Sequence, residues 1–221
     1  MNCIVTAGPT YEPLDDVRRL TNFSTGKLGA ELANFLAARG HKVTLLIGET
    51  ATYKGECRAQ SVKTFSTTAD LRAKLKSLSN NRGKKVDAIF HAAAVSDFMF
   101  GQIFVEKKFG EFVALKTSKK IPTRAGNLLV ELLPTPKIIA ELRGWFPKAK
   151  IVGWKFEADG KRADTIRAAQ KQIADCATDF CVANGPAYGK GFNLVTPAGE
   201  NHLATSQKLF VALEKFLRRT A

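Results

Sequence analysis

Short apolar runs alternate along the chain with stretches whose apolar residues recur every three or four positions. The runs CIVTAG and KVTLLIG predict buried β-strands, and the apolar spacing from Lys27 to Arg39 predicts a helix that ends at Gly40. Strands that alternate with helices are typical of βαβ units. We therefore predict an α/β fold with a Rossmann-like, mostly parallel sheet and helices on both faces.

The rest of the chain continues this pattern with one interruption. Helices are predicted in STTADLRAKLKSLSNN, with Thr68 as the N-cap, and in GKRADTIRAAQKQIADCA and SQKLFVALEKFLRR. KIVGWKFEA and TDFCVAN predict strands, and DAIFHAAAVSDF predicts a buried strand that runs into a loop. NLVTPAGENHLAT predicts a hairpin, and LLVELLPTPKIIAELR predicts a strand, a proline turn and a helix with Pro136 near its start. Residues 99–127, rich in Phe, Lys and Gly, predict an extended insertion or flap. Without a repeat or linker, we expect one domain over residues 1–221.

Composition narrows the class of protein. No apolar run reaches the roughly 18–20 residues that a membrane helix needs, and the N-terminus enters a strand without a signal-peptide pattern, so we expect a cytoplasmic protein. The four cysteines have no metal-like spacing, which favours idle thiols. The net charge of +14 favours anionic ligands. Nucleic acid is an unlikely partner, because basic and aromatic residues are not interleaved.

A glycine turn, NFSTGKLG, precedes the first helix. Gly26 and Gly29 allow close backbone approach, and free N–H groups at a helix start attract anions. The turn is not a P-loop, because Leu28 follows Lys27. About fourteen residues separate it from the first strand, whereas a Rossmann fingerprint follows the strand directly. A tight turn that allows helix packing explains the glycines equally well.

Other candidate residues stand where strands end. Gly8 follows the first strand, Trp154 and Asn184 close two later ones, and Glu49 stands where a ribose-binding acid would be. Each has a structural alternative: Trp154 as core filler, Asn184 as an Asx-turn, and the small residues 92–94 as close helix–sheet packing. Because open α/β sheets bind ligands at the carboxyl ends of their strands, the coincidence indicates a ligand site there.

Together these segments resemble the phosphopantothenate–cysteine ligase family. The resemblance rests on VTAGPTYEPLDDVRRLTNFSTGKLG, HAAAVSDF, KKIPTRAGNL, PTPKIIAEL, IVGWKFEAD and DFCVANGPAYGKGFN, which keep the family's order from Val5 to Asn193. The flavin decarboxylase half with which the family is often fused is absent, so we expect a free-standing ligase.

The resemblance implies a reaction of coenzyme A biosynthesis. The carboxylate of 4′-phosphopantothenate attacks the α-phosphate of a nucleoside triphosphate, giving an acyl-nucleotide and pyrophosphate, and the cysteine amine then displaces the nucleotide. The implied co-substrate is CTP or ATP, with Mg²⁺ on the phosphates. The resemblance favours CTP, although Pro136-Lys137-Ile138 and Asp175-Cys176 look like the eukaryotic-type branch that can use ATP. It also implies a homodimer in which residues 99–133 and the late hairpin reach towards the partner.

The resemblance also implies roles for particular residues. Asn22 would hold the acyl-nucleotide, and Lys120 would be the flap lysine, with Lys119 as the alternative register. Arg18 and Arg19, beside the glycine turn, are candidates for binding the substrate phosphate. Metal ligands are not predicted. The residues expected to bind the nucleotide are Gly8, Ser24, Gly26, Gly29, Ala93, Asp97, Pro136, Trp154, Lys171 and Asn184.

Two other functions remain open from the sequence. An NAD(P)-dependent oxidoreductase would explain the glycine turn and Glu49, but none of Tyr11, Tyr53 and Tyr188 has a lysine four residues on. A catalytically inactive paralogue that binds nucleotides or polyanions would keep the motifs and bind with strong salt dependence.

Overall fold

The protein is described by a computed structural model of residues 1–80, 85–108, 110–115 and 120–218. Helices and strands alternate as predicted. The helices are α1 (Lys27–Ala38), α2 (Thr68–Ser79), α3 (Ile138–Trp145), α4 (Arg162–Cys176) and α5 (Ser206–Arg218). The strands are β1 (Asn2–Ala7), β2 (Tyr11–Pro13), β3 (Arg19–Thr21), β4 (Lys42–Gly48), β5 (Ser61–Phe65), β6 (Ala88–His91), β7 (Phe98–Lys108), β8 (Glu111–Ala114), β9 (Leu128–Pro134), β10 (Lys150–Phe156), β11 (Phe180–Asn184), β12 (Phe192–Thr196) and β13 (Gly199–Leu203).

Eight strands form the central sheet in the order β5-β4-β1-β6-β10-β11-β12-β13. The six strands from β5 to β11 pair in parallel, and β12 and β13 are antiparallel. The chain moves outward from β1 through β4 to β5 and then returns to the other side of β1 at β6. The strand order therefore reverses between β1 and β6, the place where open α/β sheets bind ligands.

Apolar side chains fill both faces of this sheet. One face packs on α1 and α5 through residues such as Leu32, Leu36 and Leu213, and the other packs on α2 and α3 through Leu71 and Leu142. All of these leucines are fully buried. The predicted α/β fold with helices on both faces is confirmed.

A separate antiparallel sheet has three strands in the order β8-β7-β9. Strands β7 and β8 lie in the segment predicted as an extended insertion, and β9 directly follows that segment. Phe98 opens the sheet, and a 3₁₀ turn at Thr123–Ala125 precedes its last strand. Several of its large apolar side chains are exposed, among them Met99, Phe112 and Leu129. No helix in the described part of the chain is long and apolar enough to cross a membrane.

One predicted boundary differs in the structure. Thr67, not Thr68, is the N-cap of α2, because its hydroxyl oxygen accepts the Asp70 N–H at 3.1 Å. Thr68 is instead buried, and its N–H donates to Glu12. Strand β6 ends at His91 and runs into a loop of small residues, as predicted.

Candidate active site

The loops that follow β1 and β6 are tied together at the point where the strand order reverses. The Ala94 N–H donates to the Gly8 carbonyl at 2.9 Å, and the Thr10 N–H donates to the Ala94 carbonyl at 3.1 Å. Pairing between β1 and β6 thus continues past the last strand residues. These backbone bonds fix the floor of the candidate site.

A buried polar pair, Thr6 and His91, lies next to these loops. The Ala93 N–H donates to the Thr6 hydroxyl at 3.1 Å, and that hydroxyl lies 3.0 Å from His91 Nδ1. The tautomer of His91 decides which of these two atoms donates. Burial lowers the pKa of His91 to about 4, so the imidazole is neutral at neutral pH. This pair was not predicted, although a polar residue inside each of two apolar strands is a sequence signal for it.

Asn22 reaches this floor from the loop after β3. Its Nδ2 donates to the carbonyls of Ala94 and Val95 at 3.3 and 3.2 Å, and its side chain is exposed. The neighbouring Phe23 is fully exposed. The structure therefore brings Asn22 together with Ala93 and its neighbours, which the sequence placed about seventy residues apart.

Two glycines allow the turn before α1 to meet the end of β1. Gly8 and Gly26 have φ angles of +79° and +78°. A Cβ at Gly8 would stand 2.9 Å from the Ala51 Cβ, and one at Gly26 would stand 3.1 Å from the same atom. Only glycine combines this backbone conformation with such a close approach. The segments after β1, before α1 and after β4 therefore converge.

The start of α1 carries no side-chain cap. Gly26 is the N-cap residue, and the Lys27 N–H donates to the Thr25 hydroxyl at a long 3.3 Å. Ser24 lies in the turn, where its N–H donates to the Asn22 carbonyl. Gly29 differs from the other glycines, because a Cβ there would stand 2.6 Å from the Ala7 Cβ. Gly29 lets α1 pack on β1, the alternative that the sequence analysis gave.

The ends of β10 and β11 form the second part of the site. Trp154 pairs with Val182 and Phe156 with Asn184, so their side chains project from the same face of the sheet. Trp154 Nε1 and Asn184 Oδ1 are buried without a hydrogen-bond partner among the described residues. Buried polar atoms are normally paired, so these two have capacity for a ligand or water.

The aromatic residue that faces solvent here is Phe156, not Trp154. Trp154 is half-buried and packs against the core on the α1 side, whereas 63% of Phe156 is exposed. Phe156 and Asn184 line a cavity of about 610 Å³ with the glycine-rich loop 185–191. The packing of Trp154 agrees with its predicted alternative as core filler, and its role in nucleotide binding stays a prediction. Phe156 was not among the predicted residues.

The two arginines have different surroundings. Arg18 donates from Nε and Nη2 to the Asp15 carboxylate at 3.1 and 2.5 Å, and from Nη2 to the Ile121 carbonyl at 2.8 Å. These bonds engage Nε and Nη2, while 44% of the Arg18 side chain is exposed, so binding of a substrate phosphate by Arg18 stays a prediction. Arg19 lies over the Tyr11 ring, 4.7 Å from its centroid. The Tyr11 hydroxyl in turn donates to Glu49 at 3.3 Å.

Three further predicted residues are placed as follows. The Thr135 N–H donates to the Asp97 carbonyl, and the Thr135 hydroxyl donates to the Ser96 carbonyl. Because Thr135 is held at the loop after β6, Pro136 lies beside Asp97. Lys171 does not join the site. It lies in the second half of α4, whose end leads to the start of β11, and it pairs with Asp175 at 3.1 Å.

Of the two candidates for the flap lysine, the structure describes only Lys120. Lys120 is exposed and directly precedes the buried Ile121, while Lys119 lies outside the described residues. Within the described residues, no group of three or more His, Cys, Asp or Glu side chains is arranged to hold a metal ion.

Comparison with known proteins places this geometry in a family. Residues 1–213 match the model of the DNA/pantothenate metabolism flavoprotein C-terminal domain. The chain is 33% identical over 203 residues to the coenzyme A biosynthesis bifunctional protein CoaBC of Thermococcus kodakarensis. That alignment covers 90% of the chain and 45% of the relative, so the chain spans less than half of the relative's length.

Solved structures share the fold. The DNA/pantothenate metabolism flavoprotein of Streptococcus pneumoniae superposes with a TM-score of 0.85 at 23% identity, covering 100% of both chains. A Cab2 mutant in complex with phosphopantothenate-cysteine superposes with a TM-score of 0.73 at 20% identity, covering 98% of this chain and 87% of Cab2. At these identities the likeness concerns the fold alone.

Proposed function

The chain belongs to the family of the DNA/pantothenate metabolism flavoprotein C-terminal domain, and from this membership we propose that it is a phosphopantothenate–cysteine ligase of coenzyme A biosynthesis. Its curated relative is a coenzyme A biosynthesis protein, and one structural neighbour was solved with phosphopantothenate-cysteine. Both facts concern those proteins, and they support the same reaction class here.

The reaction requires activation of the substrate carboxylate, and the protein need not supply a nucleophile. A carboxylate does not react with an amine at neutral pH, so a carboxylate oxygen of 4′-phosphopantothenate attacks the α-phosphorus of the nucleotide. The bond to the β-phosphate breaks, and pyrophosphate leaves. The cysteine amine then attacks the acyl carbon, loses a proton, and displaces the nucleoside monophosphate. The protein has to position the reactants and neutralise developing charge.

The described residues suit these tasks in three places. Asn22, held over the Ala94 carbonyl, is our candidate for the amide that contacts the acyl-nucleotide. The uncapped start of α1 after Gly26 presents N–H groups to the phosphates. Asn184 and Phe156 at the second part of the site would contact the nucleoside. Lys120, which directly precedes Ile121, would neutralise charge on the phosphorus or the departing nucleotide.

The nucleotide and metal form the finer part of the proposal. We favour CTP over ATP as co-substrate, with Mg²⁺ bound to the phosphates. The free Asn184 Oδ1 is a hydrogen-bond acceptor, which suits the exocyclic amino group that cytosine and adenine share. We also propose that the protein acts as a homodimer, in which the exposed apolar side chains of the three-stranded sheet contact the partner.

The convergence of Asn22, the Gly26 turn and the loop 92–95 at the reversal of strand order carries the proposal. It is tested by pyrophosphate release from purified protein with 4′-phosphopantothenate and Mg²⁺, with CTP or ATP, and with or without cysteine. We expect release that depends on phosphopantothenate and is faster with CTP. Faster release with ATP would reverse the nucleotide preference, and no release with either nucleotide would contradict the ligase function.

A further inference from the structure

Asp15 has a buried carboxylate with an unusual number of hydrogen bonds for a loop residue. Only 1% of its side chain is exposed. Its oxygens accept the N–H groups of Val17 and Arg18 at 2.9 and 2.7 Å and the Arg18 guanidinium through two donors. The Arg18 guanidinium holds the pKa of the Asp15 carboxyl far below its usual range, so the carboxylate is charged.

The same ion pair holds a distant backbone segment. The Ile121 N–H donates to Asp15 Oδ2 at 3.1 Å, and Arg18 Nη2 donates to the Ile121 carbonyl at 2.8 Å. Both backbone groups of Ile121 are thus bonded to one ion pair, and its side chain is 3% exposed. Lys120, the candidate flap lysine, is the residue directly before it.

The ion pair is also connected to Asn22. Asp15 and Arg18 lie in the loop between β2 and β3, which is closed by the Leu14 N–H bond to the Arg18 carbonyl at 2.8 Å. Strand β3 then leads directly to Asn22, and the Thr21 hydroxyl donates to the Thr10 carbonyl at 2.9 Å. One short hairpin therefore carries Asn22 at its end and the Ile121 contact at its loop.

We propose that Asp15 and Arg18 are positioning residues that fasten Ile121 to the β2–β3 hairpin and so hold Lys120 in register with Asn22. This inference rests on the proposed ligase function. It gives Arg18 a structural role, as part of a link between the two catalytic candidates. Arg18 is suited to the task because a guanidinium can bond a carboxylate and a carbonyl at once, which a lysine ammonium does with less defined geometry.

The kinetic test is a double-mutant cycle between Asp15→Asn and Lys120→Ala. If Asp15 acts through Lys120, Asp15→Asn lowers kcat at least tenfold in the wild-type background, changes the nucleotide KM less than twofold, and lowers kcat less than twofold when Lys120 is already alanine. An equal loss in both backgrounds would overturn the proposal. Asp70→Asn is the matched control, because Asp70 also accepts a backbone N–H and pairs with a basic side chain, on α2.

A second measurement does not depend on activity. Amide hydrogen exchange at Ile121 reports the bond to Asp15 directly, and we expect Asp15→Asn to accelerate it at least tenfold while Asp70→Asn leaves it unchanged. Unchanged exchange in Asp15→Asn would overturn the link even in an active enzyme. Accelerated exchange in a protein that releases no pyrophosphate would instead contradict the ligase function, and with it the catalytic purpose of the link.

Discussion

The two parts of the candidate site satisfy their polar groups in opposite ways. At the β1–β6 junction, backbone and side-chain groups bond to one another, as Gly8 does with Ala94 and Thr6 with His91. At the ends of β10 and β11, Trp154 Nε1 and Asn184 Oδ1 are buried and have no partner in the described part of the chain.

This difference separates geometry from binding capacity. A junction whose groups are already paired is fixed before any ligand arrives, which is what positioning a reacting carboxylate and phosphate requires. Unpaired buried atoms carry a desolvation cost that a hydrogen-bonding ligand removes. We therefore assign orientation of the reacting atoms to the junction and recognition of the nucleoside to the second part.

The largest expected effect comes from Asn22→Ala at the junction. The carbonyls of Ala94 and Val95 hold its side chain in place, and loss of a preorganised hydrogen-bonding group at the reacting atoms costs about 10²- to 10³-fold in kcat. The free energy of unfolding should change little, because Asn22 is exposed. Steady-state kinetics with urea denaturation checks both. Asn34→Ala, which removes a similar exposed amide that bonds the Glu56 carbonyl, should retain full activity.

The junction should also give the protein a distinctive pH dependence. The pKa of His91 is lowered from 6.5 to about 4, so the unfolded chain binds the proton first. Stability is then fully present above about pH 6.5 and falls as the pH drops towards 4, by roughly 3 kcal/mol. Urea denaturation from pH 4 to 7.5 measures this slope. His91→Gln should flatten it, and an unchanged slope in that variant would remove His91 from the explanation.

A pair of glycine substitutions tests how tightly the junction is packed. Gly8→Ala and Gly40→Ala both place alanine at a positive φ, which costs about 1–2 kcal/mol. A Cβ at Gly40 meets nothing within 4 Å, whereas one at Gly8 meets Ala51 at 2.9 Å. Gly8→Ala should therefore lose about 1–3 kcal/mol more in the free energy of unfolding. Equal losses in the free energy of unfolding would mean that the junction shifts to accommodate the added Cβ.

The smallest effect is expected at the second part of the site. Asn184→Ala removes an acceptor that has no partner among the described residues, so it should raise the nucleotide KM about fivefold to tenfold and leave the folded state no less stable. Initial rates against nucleotide concentration, with thermal unfolding, check both. A kcat loss as large as that of Asn22→Ala would erase the distinction between the two parts.

The sequence predicted what depends on local pattern and little of what depends on distant partners. The alternation of strands and helices was predictable because each element carries its own periodicity, and the Gly8 and Gly26 positions because few other residues tolerate their backbone conformation. The contact between Arg18 and Ile121 was not predictable, since Ile121 is 103 residues away and uses only backbone atoms. The depth of Trp154 was not predictable either, because a position in a strand does not show how far the neighbouring helices cover it.

The most direct test of the central claim follows the oxygen of the substrate carboxylate. 4′-Phosphopantothenate labelled with ¹⁸O in that carboxylate is incubated with the protein, Mg²⁺, cysteine and CTP. The ¹⁸O content of the nucleotide and phosphate products is then measured by mass spectrometry. If the carboxylate attacks the α-phosphorus, the nucleoside monophosphate will carry one ¹⁸O for each amide formed. Label in inorganic phosphate, with a nucleoside diphosphate as the other product, would contradict an acyl-nucleotide intermediate.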